Sequence, residues 1–303
     1  MSRLQQMQIF VAVAEEQGFA AAARRMQLSP PVITRAIAGL EEHLGVKLFG
    51  RTTRTVRVTE AGERYLEDVR RILADIQTAE DTASGVNARP SGSLAVTAPV
   101  LFGRKYVLPG IIEYLDMYPE TRVDTLFLDR SVDLLEEGLD VGIRIGELPD
   151  SSMRALKVGA VRHRLVASPA YIQRHGVPET PDDLNIHTMI GSSAGNFGAG
   201  WKFRYPDGER SIRIEPRLTV ITNDAAISAA VEGFGIARLL SYQIADEIDS
   251  GKLVTLLEYF EAPQQPVHIV HRSGPRSPAK VRAFIDLMSE RLRADKALNP
   301  GGS

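Results

Sequence analysis

The sequence has no cysteine, which excludes disulfide staples and thiolate chemistry. No apolar run approaches the roughly 18 residues of a membrane-spanning helix. The opening Met1-Ser2-Arg3-Leu4-Gln5-Gln6-Met7-Gln8 has no apolar signal core with a small-residue cleavage site. Together these absences predict a cytoplasmic protein with no membrane partner. Common catalytic and cofactor signatures are missing too. There is no G-x-S-x-G elbow, no H-E-x-x-H and no EF-hand loop. The glycine-rich stretch from Gly191 to Gly200 lacks a following Lys-Ser/Thr and contains no G-x-G-x-x-G, so it reads as a flexible surface loop. His268 and His271 stand three apart in a strand-like segment, face opposite sides and do not converge on a metal. The acidic pairs Glu136-Glu137 and Asp182-Asp183 fall at helix ends or turns. No catalytic constellation emerges, and the expectation is a protein that is not an enzyme and carries no metal or cofactor.

Net acidity is slight, −2 overall. Spread evenly, that would argue against nucleic acid, but the charge is concentrated. From Arg24 to Arg57 there are seven bases (Arg24, Arg25, Arg35, Lys47, Arg51, Arg54, Arg57) and two acids (Glu41, Glu42), a local +5 that leaves −7 for the rest. A local basic patch attracts phosphate more than the whole-chain sum opposes it. At 303 residues, 44% hydrophobic and 24% charged, the chain has the make-up of a soluble protein of two or three domains.

The basic stretch is also the best patterned. Met7, Phe10, Val11 and Ala14 follow the spacing of an amphipathic helix, ended by Gly18. A short helix of small residues covers Ala20 to Arg25. Ser29 reads as an N-cap and Pro30 as the first residue of a further helix. Ile33, Ile37, Leu40 and Leu44 give that helix one buried face, with Thr34, Arg35 and Ala38 turned away, and Gly45 stops it. Residues 46–58 read as a two-stranded wing with Arg51 to Arg54 near its tip. Two angled helices and a basic ribbon are suited to placing one helix end in a DNA groove. Arg24 and Arg25 are left open between backbone contact and pairing with Glu41 or Glu42.

Three ordered motifs carry a family resemblance: Leu28-Ser29-Pro30-Pro31-Val32-Ile33-Thr34-Arg35-Ala36-Ile37 with Leu40-Glu41, then Leu44-Gly45-Val46-Lys47-Leu48-Phe49-Gly50-Arg51, then Thr59-Glu60-Ala61-Gly62. Over residues 3–62 the sequence resembles the LysR-type transcriptional regulators. That resemblance implies a winged helix-turn-helix with Ser29, Pro30, Pro31, Thr34, Arg35, Arg51, Arg54 and Arg24 at DNA. Many members carry a hydrogen-bonding residue such as glutamine where this chain has Pro30, so readout there is apolar or absent. Weight shifts to Thr34 and Arg35 for base contact and to Arg51 and Arg54 for phosphate or minor-groove contact.

From Thr59 a long helix is expected to about residue 86, roughly 27 residues and 40 Å. Leu66, Val69, Leu73 and Ile76 form a single apolar seam that calls for a partner helix. The resemblance implies dimerisation through that helix, and further association to a homotetramer. The breaker-rich stretch 84–92 reads as a hinge. Beyond Ser93 strands and helices alternate as in an α/β domain. They include a strand over 94–98, a helix from Phe102 to Met117, a short helix from Val132 to Glu137, a helix over 224–232 capped by Asn223, and a last helix over 278–291.

The expected fold is therefore multidomain. It comprises an α-rich winged helix-turn-helix (1–58), a linker helix (59–86), a hinge (87–92), an effector-binding domain (93–296) and a mobile tail (297–303). The resemblance implies a periplasmic-binding-protein-like effector domain of two α/β subdomains, 93–161 with 267–296, and 162–266. Ligands in open α/β folds sit at strand carboxyl ends and helix N-termini. By that rule the nominated effector residues are Thr97, Pro99, Val100, Phe102, Leu128, Asp129, Arg144, Ile145, Thr222 and Asn223, with free N–H groups at helix starts Gly103 and Asp224.

The leading reading is a sequence-specific regulator whose output responds to a small organic effector, with dyad operator DNA, a second copy of itself and RNA polymerase as partners. Two other readings stay open. A solute-binding or enzymatic α/β module with vestigial DNA binding predicts no salt-dependent DNA affinity. A nucleoid architectural protein predicts binding without sequence preference.

Overall fold

The structure, a computed structural model, describes residues 1–51, 56–83, 89–130, 132–148, 153–192, 200–272 and 277–299. It divides into two compact units, Met1–Ala88 and Arg89–Ser303. The tip of the wing with Arg54, the centre of the glycine-rich loop, residues 84–88 at the start of the expected hinge and the last four residues lie outside the described residues.

In the smaller unit Ser2 opens helix α1, Arg3–Glu15, with a capping box. Its buried face is Ile9, Phe10, Ala12 and Val13. The stripe expected from Met7, Phe10, Val11 and Ala14 is rotated: only Phe10 of those four is buried. Spacing alone does not tell which of two overlapping apolar stripes faces the neighbours. Helix α2 spans Phe19–Arg25, and α3 spans Pro30–Leu44, closed by Gly45 in the left-handed region at φ 70°. Strands β1, Phe49–Arg51, and β2, Val56–Val58, pair antiparallel as the wing. The core joins Phe10, Ile33, Leu40, Leu48 and Phe49, with the Phe10 ring 5.3 Å from Phe49 and 5.5 Å from Tyr65.

Thr59 explains the start of the next helix. Its N–H donates to the Leu48 carbonyl at 2.9 Å, its hydroxyl donates to the Lys47 carbonyl at 2.7 Å, and that oxygen accepts the Gly62 N–H at 3.0 Å. Helix α4 runs Glu60–Ala83, 24 residues and roughly 36 Å; the last three residues of the expected helix, 84–86, lie outside the described residues. The seam divides along this helix. Val69 is fully buried in its own unit and Leu66 packs on the same core, whereas Leu73 and Ile76 are half-exposed and Ile72 is 39% exposed. Val69 therefore belongs to the core of its own unit, which corrects the expectation that it faces a partner chain, whereas Leu66 is half-buried like Leu73 and Ile76. The Glu15 carboxylate at the end of α1 reaches Arg70 of α4 at 3.1 Å.

The larger unit is built on two five-stranded sheets. Its strands are β3 Gly92–Ala98, β4 Thr121–Phe127, β5 Val141–Ile145, β6 Arg154–Val161, β7 His163–Ala167, β8 Met189–Ser192, β9 Trp201–Tyr205, β10 Gly208–Ile212, β11 Leu218–Val220, β12 Ile236–Leu240, β13 Val254–Leu256 and β14 Gln265–His271. The first sheet has the order β4-β3-β5-β14-β6 and the second β11-β8-β12-β7-β13. The chain passes between sheets from β6 to β7 and returns at β14, giving two α/β lobes. The principal helices are α5 Val100–Phe102, α6 Leu108–Met117, α7 Pro169–His175, α8 Asn223–Val231, α9 Ala245–Asp249 and α10 Ala279–Ala294. A π-helical turn, Gly103–Val107, joins α5 to α6.

Several local expectations are corrected. The helix after β3 begins at Val100, not at Phe102 or Gly103. Residues 134–138 form a turn, not a helix; Asp133 accepts the N–H groups of Leu135 and Glu136, and Gly138 takes φ 66°. Helix α8 is capped at Thr222, and Asn223 is its first residue. The antiparallel β9–β10 hairpin is not among the expected elements, although β9 alternates Trp201, Phe203 and Tyr205 with polar residues and buries Phe203 in the core of the second lobe; β10 is polar and exposed and carries no such mark. The expected mobile tail starts too early. Leu298 is buried at 1%, and the Asn299 amide donates to the carbonyls of Val158 and Leu292.

Candidate functional site

Helix α3 turns Ser29, Pro30, Pro31, Thr34, Arg35 and Ala38 to solvent while Ile33, Ala36, Ile37 and Leu40 anchor it. Ser29 occupies the N-cap position, but its hydroxyl makes no capping bond. The physical reason lies in the next residues. Pro30 and Pro31 have no N–H to offer, and the N–H groups of Val32 and Ile33 go to the Ser29 carbonyl. The Ser29 hydroxyl is thus exposed at the helix N-terminus. Thr34 donates its hydroxyl to the Pro30 carbonyl at 3.0 Å, leaving its lone pairs and methyl group outward. Arg24 is exposed on α2. Arg25 pairs with Glu15 at 2.8 Å and Glu16 at 3.2 Å, and not with Glu41 or Glu42. Arg51 ends β1; its side chain and the whole of Arg54 lie outside what is described.

Glu41 joins this helix to the wing. Its carboxylate is buried, accepts the N–H groups of Leu48 at 2.9 Å and Phe49 at 3.3 Å, and meets Lys47 at 2.6 Å. Burial alone would raise the carboxyl, but Lys47 and the two N–H groups outweigh it and hold it below the ordinary glutamate range. The basic ribbon therefore leaves α3 at a set angle.

In the larger unit both lobes contribute to one cavity of about 210 Å³. At roughly 30 Å³ per liquid water it has the volume of about seven waters, enough for a small ligand. The first lobe supplies Pro99, Leu128, Asp129, Arg130, Arg144 and Ile145; the second supplies His163, Asn223, Leu240, Tyr242 and Gln243; Gln265 opens the returning strand. Asp129 accepts the Val100 N–H at 3.0 Å and the Asn223 amide at 3.4 Å, and burial pushes its carboxyl up. The Arg144 guanidinium donates to the carbonyls of Val132 at 2.9 Å and Ile143 at 3.3 Å, and burial lowers its pKa. Burial, helped by Arg238, pushes the His163 imidazole down to about 4, so it is neutral at pH 7. Behind the cavity, the rings of Phe102, Tyr106 and Tyr242 form a packed trio at 4.8, 5.2 and 6.0 Å.

Six of the ten nominated effector residues meet at this cavity: Pro99, Leu128, Asp129, Arg144, Ile145 and Asn223. Four do not. Thr97 is buried and donates its hydroxyl to the Leu126 carbonyl at 2.7 Å. Phe102 is fully buried in the aromatic trio. Val100 contributes only its N–H, to Asp129, and Thr222 holds the N-cap position of α8 without a side-chain capping bond and is not among the lining residues. The carboxyl-end rule could have found Tyr242 and Gln243, which follow β12, a strand parallel to β8. It misses His163 and Gln265 in principle, because β7 and β14 run antiparallel to their neighbours and bring their amino ends to the cavity.

A wing and a helix with an exposed polar stripe ending in Arg35, joined in one chain to a two-lobed α/β unit with a polar cavity, define a ligand-responsive DNA-binding regulator. Residues 4–63 match the family pattern described as bacterial regulatory helix-turn-helix protein, lysR family, and residues 87–293 match that described as LysR substrate binding domain. An HTH-type transcriptional regulator of Xanthomonas campestris pv. campestris is 32% identical over 95% of this chain and 85% of its own length. The structure of CrgA, a LysR-type transcriptional regulator from Neisseria meningitidis, is similar with a TM-score of 0.61 at 29% identity, covering 96% of this chain and 99% of that one. The full-length Vibrio cholerae virulence activator AphB is similar with a TM-score of 0.63 at 25% identity, covering 95% and 98%. The chain belongs to the LysR family of transcriptional regulators. Its smaller unit is a DNA-binding domain and its larger unit an effector-binding domain. Among the described residues no helix is long and apolar enough to cross a membrane.

Proposed function

We propose that this regulator reads a dyad operator as a homo-oligomer, with Thr34 and Arg35 contacting bases, Ser29 and Arg24 contacting phosphate, and a small organic effector in the cavity setting promoter output. The observation that carries the reading is the exposed α3 stripe ending in Arg35. A rigid core holds that stripe outward, and arginine is suited to bidentate contact with guanine. Pro30 and Pro31 offer only apolar contact. Half-exposed Leu73 and Ile76 with exposed Ile72 are the part of α4 left for a partner helix, so pairing through this face would set the spacing of the half-sites. Effector binding between the lobes shifts the population of lobe arrangements, and through the oligomer alters DNA geometry or contact with RNA polymerase. The effector serves as signal, no cofactor is needed, and the site of action is the cytoplasm.

The test is a binding titration of the full chain on operator and on unrelated DNA at several salt concentrations. Arg35→Ala is expected to cost about 1–3 kcal/mol on operator and far less on unrelated DNA. Equal loss on both sequences overturns the base-contact assignment. A slope of log affinity against log salt near zero for the unsubstituted protein would favour a vestigial DNA-binding unit instead.

A further inference from the structure

Asp129 and Arg144 line the same cavity from the same lobe, both half-buried, yet neither neutralises the other. Among the described residues, Asp129 is met only by an N–H and an amide, and Arg144 only by two carbonyls. A half-buried charge without a counter-charge is costly, and one that faces a cavity can be compensated by what enters it. Here two such charges of opposite sign face one space. Their separation follows from the sheet. Asp129 lies just beyond β4, Arg144 lies in β5, and β3 runs between those strands. Two strand spacings place their backbones roughly 9–10 Å apart. Pro99, which follows β3, Leu128 and Ile145 are apolar lining of the same cavity.

We infer that the effector is a bifunctional small molecule, with a carboxylate for Arg144 at one end and an N–H or O–H donor for Asp129 at the other, held apart by a flat ring or short chain. This rests on reading the cavity as the effector site, and it narrows the ligand from organic acids in general to acids bearing a distal donor. The carboxylate takes the guanidinium N–H groups left after the two carbonyls. The donor takes a free lone pair of Asp129, with the Asn223 amide beside it. Because Asn223 belongs to the second lobe and Asp129 to the first, a donor placed there touches both lobes, while a simple acid is held by Arg144 on one side only. The position of the donor, more than the acid, then couples ligand to lobe closure.

The probes are 4-aminobenzoate, 2-aminobenzoate and benzoate, measured by calorimetric titration of the full chain. 4-Aminobenzoate is expected to bind about tenfold tighter than benzoate, the value of one hydrogen bond to a charged group. 2-Aminobenzoate carries the same groups side by side, cannot span the two residues, and should bind like benzoate. Asp129→Asn keeps an acceptor for the Val100 N–H; it should erase the advantage of 4-aminobenzoate over benzoate, so that the two bind alike. Arg144→Gln should weaken all three. Equal affinity for all three acids in the unsubstituted protein, lost in Arg144→Gln, overturns the bifunctional ligand while keeping the cavity as effector site. Binding untouched by Arg144→Gln, or no binding by any acid, overturns both. Unfolding curves of each variant without ligand confirm that the fold is retained.

Discussion

The Glu41 carboxylate accepts the Leu48 N–H at 2.9 Å, tying the last turns of α3 to the root of the wing. A second N–H, from Phe49, shares the same oxygen. Truncation would leave two buried donors unpaired. Glu41→Ala is expected to destabilise the smaller unit by about 2 kcal/mol or more, and to reduce operator affinity beyond that loss because the wing is no longer aimed. The linkage to pH has a definite sign. The folded pKa of Glu41 is lowered, so its contribution is fully present above the unfolded value near 4.3 and is lost as pH falls through the lower folded value. Urea unfolding followed by far-UV circular dichroism at several acidic pH values checks both points; a variant with unchanged acid sensitivity would refute the assignment.

Gly62 stands where the long helix crosses the wing. A Cβ at this position would run into the Leu48 carbonyl and the Val58 side chain. A backbone carbonyl cannot step aside as a flexible side chain can. Gly62→Ala should therefore cost about 1–3 kcal/mol, the range for overpacking a closed site, despite the better helix propensity of alanine. A thermal melt showing equal or higher stability would contradict this contact.

Within α4, Val69 and Leu73 should separate two effects. Val69 is fully buried in its own unit, so Val69→Ala is expected to lower folding stability by about 2 kcal/mol with little effect on self-association at concentrations where the fold is intact. Leu73 is half-exposed, so Leu73→Glu should leave the melt nearly unchanged and shift the oligomer toward smaller species in sedimentation velocity. The reverse pattern would move the partner contact onto the Leu66–Val69 face.

His163 predicts a second pH response, confined to the larger unit. Burial lowers its folded pKa to about 4, below the unfolded value near 6.5. As pH falls between these values the unfolded chain takes up the proton first, and stability is lost. His163→Asn should flatten the decline between about pH 6.5 and 4. Trp201 is the sole tryptophan and lies in this unit, so its fluorescence during urea unfolding reads the effect without interference from the DNA-binding unit. An unchanged slope would place the pH response in other histidines.

The sequence by itself determined the DNA-binding unit, because that unit is written in local signals. Prolines at a helix start, a left-handed glycine at its end, a 3–4 apolar repeat and Thr59-Glu60-Ala61-Gly62 each act within a few residues, and their meaning survives without distant partners. It also determined the alternation of strands and helices in the larger unit, and the carboxyl ends that put Asp129, Arg144 and Asn223 at a cavity. Tertiary structure alone decided which face of α1 is buried, since two overlapping stripes satisfy the same spacing. It alone decided that Val69 belongs to its own core, because burial on α4 depends on where α1 stops covering it. The cavity required it most. Asn223 meets Asp129 across 94 positions of chain, and His163 and Gln265 arrive by the amino ends of antiparallel strands. Strand direction within a sheet is set by long-range pairing, which periodicity within a segment does not encode.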